Sequence, residues 1–298
     1  MAETVADPVS RYILEGGDDD LRRLLAVAEL FGDMARRAFW RVGVQKGWRV
    51  LECGCGPIGA LAVLAELVGA TGEVVGLDFG ERAVERARSV VGTLGLDNVQ
   101  IHVGDVHDAD VAELGGPFDL AYSRLFLMHQ SDPARTLSRI ATLLRPGGWI
   151  IAQEPLRTPA PQSYAQLDAL STYWERLHKL MEWTGVPPRS VDDLPRVARA
   201  AGLEVGRVEG FFTVMEPEVA LDIHAATLAA ARDRATQSGI ATEHEIDELL
   251  ETIRAAKTEG YQWVTSPFFL DLALRKPIVA EGSVPEASYL AATETVMV

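Results

Sequence analysis

The stretch WRVLECGCGPIG at residues 48–59 joins a short apolar run to a glycine-rich turn. Its first part, Arg49–Cys53, has the length and apolar content of a buried strand, and a helical pattern follows the turn. Gly54, Gly56 and Gly59 give the turn the spacing G-x-G-x-x-G. Glycines let a backbone adopt positive φ and approach a ligand closely. The stretch therefore predicts a strand–turn–helix unit that holds a ligand, although an isolated match of this kind also fits an ordinary tight turn.

Two acidic residues indicate the chemistry of that ligand. Glu52 lies two residues before Gly54, and Asp78 ends the next apolar run. A dinucleotide site presents backbone N–H groups to an anionic pyrophosphate, which a carboxylate at the position of Glu52 would repel. A cationic group, such as the amino group of a methionine moiety, suits Glu52 better. Asp78 can accept hydrogen bonds from both hydroxyls of a ribose. The alternative for each acid is a solvated position at the end of a strand.

Short apolar runs alternate with helical patterns from Trp48 onward. Such alternation is typical of a parallel sheet covered by helices on both faces. The pattern therefore predicts an α/β fold with a doubly wound, mostly parallel sheet. The predicted strands are Arg49–Cys53, Glu73–Asp78, Val99–Val103, Phe118–Ser123 and Trp149–Gln153, with helices at Glu81–Leu94 and Pro133–Leu144.

The regions on either side of this alternation are mainly helical in pattern. Two helical segments, Leu21–Phe31 and Met34–Val44, precede the first strand. After the fifth strand we predict helices at Ala165–Trp183, Val191–Ala201, Glu218–Gln237 and from Thr242 to about Gly260, and strands at Leu203–Val214 and Tyr261–Leu274. We divide the chain into an N-terminal helical cap (1–47), a ligand-binding core (48–155), the rest of the sheet with helical lid insertions (156–276) and a C-terminal tail (277–298).

Several short segments, in this order and spacing, resemble the motifs of class I S-adenosylmethionine-dependent methyltransferases. The resemblance is closest to the quinone-biosynthesis type of small-molecule enzyme and implies a seven-stranded, Rossmann-like methyltransferase fold. It covers about Trp48–Pro155, with a weaker match over Val264–Pro277. The segments that carry it are Val50–Gly56, Gly76–Asp78, Val103–Val106, Phe118–Ser123, Leu144–Trp149 and Thr265–Phe269, the last of which looks like the entry to an antiparallel final strand.

The resemblance implies that S-adenosyl-L-methionine is the cofactor and assigns residues to its parts. Glu52 would lie near the methionine amino group, and the backbone of Gly54, Cys55 and Gly56 near the carboxylate and sulfur. Asp78 would hold the ribose. The remaining implied contacts are Phe79 on one adenine face, Asp105 and Val106 at the adenine edge, and Ser123 and Arg124 at the end of the fourth strand. Arg124 departs from the family pattern and could pair with the methionine carboxylate or with Glu52, or it could touch substrate.

Residues that act on the substrate are harder to identify, because methyl transfer needs a base only when the acceptor must lose a proton. His129 follows the fourth strand and Glu154 ends the fifth, so both are expected at the pocket mouth. Glu175 and His178 are three residues apart on the predicted lid helix, where a surface ion pair is the alternative. An apolar pocket under the lid could be lined by Tyr164, Tyr173, Trp174, Trp183, Phe211 and Phe212, although Trp174–Met181 also fits core packing.

Composition limits the remaining possibilities. A formal net charge of −15 without a long Lys/Arg cluster disfavours a nucleic-acid substrate. The two cysteines, Cys53 and Cys55, are too close in sequence for an ordinary disulfide. No Cys/His cluster predicts a metal site, and no apolar run predicts a membrane span. We therefore expect a reduced, cytoplasmic protein. A homodimer stays open.

Several other functions are possible for a chain with these motifs. No tyrosine has a lysine four residues later, which argues against a short-chain dehydrogenase. The apolar segment Leu125–Met128 argues against a metal-dependent O-methyltransferase. Methyl transfer to an apolar or aromatic molecule, with an O, N or C acceptor undetermined, is the interpretation we favour. The alternative from another class is a protein of the same fold that binds S-adenosylmethionine without transferring its methyl group.

Overall fold

The computed structural model describes Leu14 and residues 18–156, 168–186, 191–256 and 263–278. Its centre is a seven-stranded sheet of β1 (Arg49–Cys53), β2 (Glu73–Asp78), β3 (Val99–Val103), β4 (Phe118–Arg124), β5 (Leu144–Pro155), β6 (Glu204–Phe211) and β9 (Phe269–Arg275). In a separate two-stranded sheet, β7 (Val214–Met215) pairs with β8 (Val264–Thr265). The strand order in the large sheet is β3-β2-β1-β4-β5-β9-β6, and β9 runs opposite to the other six strands. This confirms the predicted mostly parallel, doubly wound sheet.

Helices cover both faces of the large sheet. On one face, α1 (Asp18–Val42), α2 (Leu61–Val68) and α3 (Glu81–Leu94) pack on buried side chains such as Val50 and Tyr122. On the other face, α4 (Pro133–Leu143) and α6 (Leu194–Ala200) pack on Leu51 and Ile150. Asp132 begins α4 by accepting a hydrogen bond from the Arg135 N–H, with Pro133 in the first turn. Alternate residues of each strand therefore enter opposite cores, as period-two geometry requires.

A third core lies among the remaining helices, and we call it the helical core. It is built from α5 (Asp168–Trp183), α7 (Pro217–Ala230), α8 (Arg232–Gln237) and α9 (Glu243–Ala255). Thr242 and Glu245 form the predicted capping box at the start of α9. None of the helices in the described ranges is long and apolar enough to cross a membrane.

The sequence pattern placed several boundaries wrongly. The two N-terminal segments form one helix, α1, in which Gly32 has no neighbouring atom where a Cβ would lie. The predicted 218–237 helix is two helices that meet at Ala231, and the strands predicted at 203–214 and 261–274 are each interrupted. The fifth strand begins at Leu144, before the Pro-Gly-Gly turn, because Leu144 pairs with Phe118. Tyr164, residues 165–167, 257–260 and most of the tail lie outside the described residues.

Candidate functional site

A cavity of about 950 Å³ lies at the carboxyl ends of the parallel strands, where open α/β sheets bind ligands. The glycine turn and Asp78 line one side of it. The opposite side is mostly apolar and comes from α1, α5 and α7, with Val27, Leu177 and Ile223 among its residues. The volume is at the upper end of the ~300–1,000 Å³ range of small-molecule sites. It can hold a nucleoside-sized ligand together with a second molecule.

Two glycines of the turn approach other groups too closely for any side chain. A Cβ at Gly54 would lie 2.5 Å from Cδ2 of Phe126, and one at Gly59 would overlap Oε1 of Glu52. Gly56 differs, because its φ is +54° and no atom lies within 4 Å of where its Cβ would be. Its N–H donates to Oδ2 of Asp78 over 2.9 Å. The turn therefore leaves an open backbone surface at Gly56, beside a carboxylate.

Glu52 is a buried carboxyl with one unsatisfied oxygen. The side chain is 3% exposed, and Oε1 accepts a hydrogen bond from the Ala60 N–H over 2.8 Å. Oε2 has no hydrogen-bond partner in the described structure. Burial raises the pKa of this carboxyl to about 8, while the Ala60 N–H and the positive charge of Arg124 oppose the shift. A cationic ligand group beside Glu52 would satisfy the free oxygen and stabilise the ionised form, so the residue fits the ammonium end of S-adenosylmethionine.

Asp78 is already oriented by the backbone around it. Oδ1 accepts from the Gly80 N–H and Oδ2 from the Gly56 N–H, both over 2.9 Å. Burial nevertheless raises the pKa of this carboxyl above its ordinary value. Two of its roughly four lone-pair directions remain for ligand hydroxyls. Phe79, the next residue, also lines the cavity. Both positions suit the ribose and adenine parts of the same cofactor.

Three of the implied cofactor residues lie outside the cavity lining. Asp105 accepts a hydrogen bond from the His107 N–H, and the carbonyl of Val106 accepts one from Arg139. Ser123 is 1% exposed, and its Oγ has no partner in the described structure. Val103, at the end of β3, lines the cavity instead. The third strand ends at Val103 as predicted, whereas the fourth extends one residue further, to Arg124. Sequence alone did not show which neighbouring side chain faces the cavity.

Arg124 joins the glycine turn to the N-terminal helix. Its guanidinium lies 5.7 Å from the centre of the Phe31 ring of α1, and Nη2 donates to the Gly59 carbonyl over 3.4 Å. Its charge lowers the pKa of Glu52 from the value that burial alone would give. Arg124 therefore acts on Glu52 electrostatically and lines the cavity itself.

Of the four residues predicted to act on substrate, only His129 lines the cavity. The expected position of Glu154 at the pocket mouth is wrong, because its side chain is fully buried. Its oxygens accept hydrogen bonds from the backbone N–H groups of Phe126, Leu127 and Met128, at 3.1, 2.8 and 3.2 Å. Burial raises the pKa of Glu154 to about 7. The residue holds the turn that follows β4.

The predicted pair on α5 does not face the cavity. The Glu175 side chain is 65% exposed and forms a surface ion pair with Lys179 at 2.7 Å. The His178 ring lies 5.8 Å from the Trp174 ring and outside the lining. Of the six aromatic residues suggested for the pocket, Tyr173 and Trp174 line it, Trp183 and Phe212 are exposed, Phe211 stacks on Phe269, and Tyr164 lies outside the described residues.

His224 was missed by the sequence reasoning. It lies on α7, is 3% exposed and lines the cavity beside Tyr173 and Trp174. A signal was available, since this histidine lies in a helical run that is otherwise rich in Ala and Leu. A lone histidine on an apolar helix is usually a core residue, however, and only the packing of α7 against α5 shows that it faces a cavity.

Comparison with known proteins identifies the family. The model described as "Methyltransferase domain" matches residues 44–202, more than half of the chain. Among curated relatives, an uncharacterized 37.1 kDa protein in transposon TN4556 of Streptomyces fradiae is 30% identical over 69% of this chain and 58% of its own length. Nocamycin O-methyltransferase of Saccharothrix syringae is 34% identical over 46% of this chain and 48% of its own. The chain thus spans about half the length of these relatives.

Solved structures share the fold. The [4+2]-cyclase SpnF aligns over 83% of this chain and 82% of its own, with a TM-score of 0.51 and 19% identity. At that identity the likeness speaks for the sheet and its helices alone. The family match, the sheet order and the position of the glycine turn agree, and the chain belongs to the class I S-adenosylmethionine-dependent methyltransferases.

Proposed function

We propose that this protein transfers a methyl group from S-adenosylmethionine to a small, largely apolar or aromatic molecule. The observation that carries the proposal is the unsatisfied oxygen of Glu52, which lies beside Asp78 and an open glycine turn in one cavity with an apolar second half. A buried acceptor oxygen without a partner is destabilising, and a ligand cation relieves that penalty. The nocamycin relative supports a small-molecule acceptor by its name.

The cofactor half of the cavity follows from the side chains already described. Glu52 would bind the ammonium group, and the backbone at Gly54–Gly56 would lie along the methionine part. Asp78 would accept from the ribose hydroxyls, with Phe79 and Val103 beside the adenine. Contacts from Asp105 and Val106 to the adenine stay a prediction, because both residues lie outside the lining. Bound in this way, S-adenosylmethionine supplies an activated methyl group on a sulfonium.

The acceptor half of the cavity is formed by the helices that we predicted as a lid. Val27 and Phe31 of α1, Leu177 of α5 and Ile223 of α7 give it an apolar surface. The predicted lid segment 218–260 contributes only through α7, since no described residue of α9 lines the cavity. Such walls exclude water and hold an apolar acceptor against the methyl group, which is most of what this displacement requires.

Calorimetric titration with S-adenosylmethionine, S-adenosylhomocysteine and NAD tests the cofactor assignment. We expect binding of the first two and much weaker binding of NAD, because Glu52 would repel a pyrophosphate. Tight NAD binding would contradict the proposal. Formation of S-adenosylhomocysteine in the presence of a set of small acceptors then tests methyl transfer. Binding without any turnover would favour the alternative, a protein of this fold that does not methylate.

A further inference from the structure

The mostly apolar half of the cavity contains a polar pair, His224 of α7, which is buried, and Trp174 of α5, which is half-buried. Their ring centres are 5.8 Å apart, and Tyr173 packs edge to face against both. All three residues line the cavity. The pair therefore offers polar contacts in a region that otherwise presents mostly hydrocarbon to a ligand.

The hydrogen bond of His224 fixes which ring nitrogen can accept a proton. Nδ1 lies 2.6 Å from the carbonyl oxygen of Ala220. A carbonyl only accepts hydrogen bonds, so Nδ1 must carry the hydrogen and Nε2 must present its lone pair. Burial lowers the pKa of His224 to about 4, which keeps the ring neutral at physiological pH. The residue is therefore a preformed acceptor.

Trp174 supplies the complementary group. Its indole Nε1 is buried and has no hydrogen-bond partner in the described structure. An indole nitrogen can only donate. A donor and an acceptor on neighbouring rings, whose centres are 5.8 Å apart, match a hydroxyl, which can donate to His224 and accept from Trp174. Leaving either group unpaired in an apolar cavity is unfavourable, so a ligand with such a hydroxyl would bind preferentially.

The charges around the pair disfavour a cationic acceptor. No described residue of α1, α5 or α7 that lines the cavity is acidic, and Arg23 of α1 lies on that side. Burial raises the pKa of Tyr173 to about 12 even though Arg23 lowers it, so Tyr173 stays neutral as well. An ammonium acceptor would find no carboxylate there, whereas a neutral hydroxyl would meet no unfavourable charge.

We propose that His224 is the base that removes the proton from a phenolic hydroxyl of an aromatic acceptor, while Trp174 donates a hydrogen bond to the same oxygen. The inference rests on the proposed methyl transfer and specifies its acceptor class. Phenols have pKa values of about 10, like tyrosine, and give up a proton to a weak base far more readily than aliphatic alcohols do. The aromatic walls formed by Tyr173, Trp174 and Phe31 suit a flat ring system.

The step balances in atoms and charge. The acceptor oxygen forms a bond to the methyl carbon as the carbon–sulfur bond breaks, and that electron pair stays on sulfur. The hydroxyl proton passes to Nε2 of His224. The positive charge thus leaves the sulfonium and arrives on the imidazole, so the net charge inside the cavity does not change. A histidine that is neutral beforehand avoids repelling the cationic cofactor.

The test uses the full-length protein, S-adenosylmethionine and a panel of two- and three-ring phenols, each paired with its aniline and benzylic-alcohol analogue. We expect methyl ethers from the phenols. His224→Asn should lower kcat by about 10²-fold, the low end of the range for a general base because burial makes this histidine weakly basic, with little change in S-adenosylmethionine affinity. The matched control is His244→Asn, since His244 is 80% exposed on α9, pairs with Glu248 and lies outside the cavity lining.

Binding supplies a readout independent of turnover. Trp174→Phe keeps the ring and removes the N–H, so the phenols should bind the S-adenosylhomocysteine complex about 3- to 10-fold more weakly. Trp183→Phe, at a ring that is 51% exposed, should leave this affinity unchanged. Equal kcat for the two histidine variants, methylation of the anilines instead, or no methylation of any phenol overturns the inference. Failure of the wild-type protein to bind S-adenosylmethionine would instead overturn the proposed function.

Discussion

The buried carboxyl group of Glu52 and the half-buried one of Asp78 differ in how their oxygens are satisfied. Both oxygens of Asp78 accept from backbone N–H groups, whereas Oε2 of Glu52 has no partner in the described structure. Asp78 is thus held in place before a ligand arrives, and its affinity for ribose comes from its remaining lone pairs. Glu52 depends on a ligand cation to become fully ionised. The two acids should therefore respond differently to substitution and to pH.

Glu52→Gln should weaken S-adenosylmethionine binding and remove a pH dependence. Because the pKa of Glu52 is about 8 in the free protein, ionising it for the ligand ammonium releases a proton at pH 6–7.5. The wild-type affinity should therefore fall as pH decreases across this range, and the variant should show a flat profile. Calorimetry in two buffers of different ionisation enthalpy measures the proton release. The control is Glu66→Gln, which removes an exposed ion pair with Arg36 and should leave the pH dependence of binding unchanged. A wild-type affinity that does not change with pH would falsify the role of Glu52 at the ligand ammonium.

Asp78→Ala should weaken the same binding by loss of hydrogen bonds to the ribose hydroxyls. Charge-assisted bonds of this kind contribute at most about 1.5–3 kcal/mol each. Part of the loss will come from the turn, because the Gly56 and Gly80 N–H groups also lose their acceptor. Asp110→Ala is the control for the loss of backbone hydrogen bonds alone. Asp110 accepts hydrogen bonds from backbone N–H groups at an exposed turn away from the cavity, so this variant should not change the affinity for S-adenosylmethionine. Unchanged affinity in Asp78→Ala, measured by titration, would rule out the ribose role.

At the level of elements, the end of β5 determines the shape of the turn after β4. The carboxylate of Glu154 accepts hydrogen bonds from three consecutive backbone N–H groups of that turn. The turn contains Phe126, whose ring lies where a side chain at Gly54 would be. It also leads to Met128 and His129, which line the cavity. Glu154 therefore positions one wall of the site without contacting the ligands.

Glu154→Ala should destabilise the protein and disturb this turn. Each buried N–H left without an acceptor costs about 1–3 kcal/mol. Urea denaturation should show the loss, and S-adenosylmethionine affinity should fall with it because Phe126 packs against the glycine turn. Glu154→Gln keeps one carbonyl oxygen and should lose less. Glu175→Ala removes a surface ion pair and should change the free energy of unfolding very little. An equal loss in the two alanine variants would contradict the role of Glu154.

The elements differ in how readily the sequence predicts them. The bounds of β1, β2, β3 and α3 agree with the prediction, because buried parallel strands are continuous apolar runs and α3 has a regular amphipathic pattern. The break at Ala231 carries no comparable signal, whereas the break at 266–268 contains Pro267, a residue type that interrupts strands. The same limit applies to side chains. Glu52 and Asp78 were predicted from strand ends, whereas the burial of Glu154 and the cavity position of His224 follow from how distant elements meet.

At the scale of the whole molecule, the cavity lies between two kinds of core. The first kind lies between the large sheet and the helices that cover its two faces, and the second is the helical core. Helix α1 belongs to both regions, because Ala35 and Phe39 pack on the sheet while Leu30 packs against the helical core. A ligand that fills the cavity contacts both cores at once. Its binding should therefore appear in the stability of the entire fold.

The free energy of unfolding should decrease as pH rises from 6.5 to 8 in the ligand-free protein. Glu52 and Glu154 have pKa values of about 8 and 7 in the folded state, above those of the unfolded chain, so the folded state binds more protons in this window. Burial shifts Asp78 and Asp271 in the same direction. The lowered pKa of His224 affects the free energy of unfolding only below about pH 6.5, where this histidine is protonated in the unfolded chain but not in the folded protein.

The expected decrease between pH 6.5 and 8 is on the order of 2 kcal/mol, and urea denaturation at several pH values measures it. Glu52→Gln cannot ionise, so most of the decrease should disappear in that variant. Saturating S-adenosylhomocysteine should have a similar effect, because its ammonium group keeps Glu52 ionised in the folded state throughout the window. A decrease that persists unchanged with the ligand bound would show that the ligand ammonium does not reach Glu52, and the proposed orientation of the cofactor in the cavity would then be wrong.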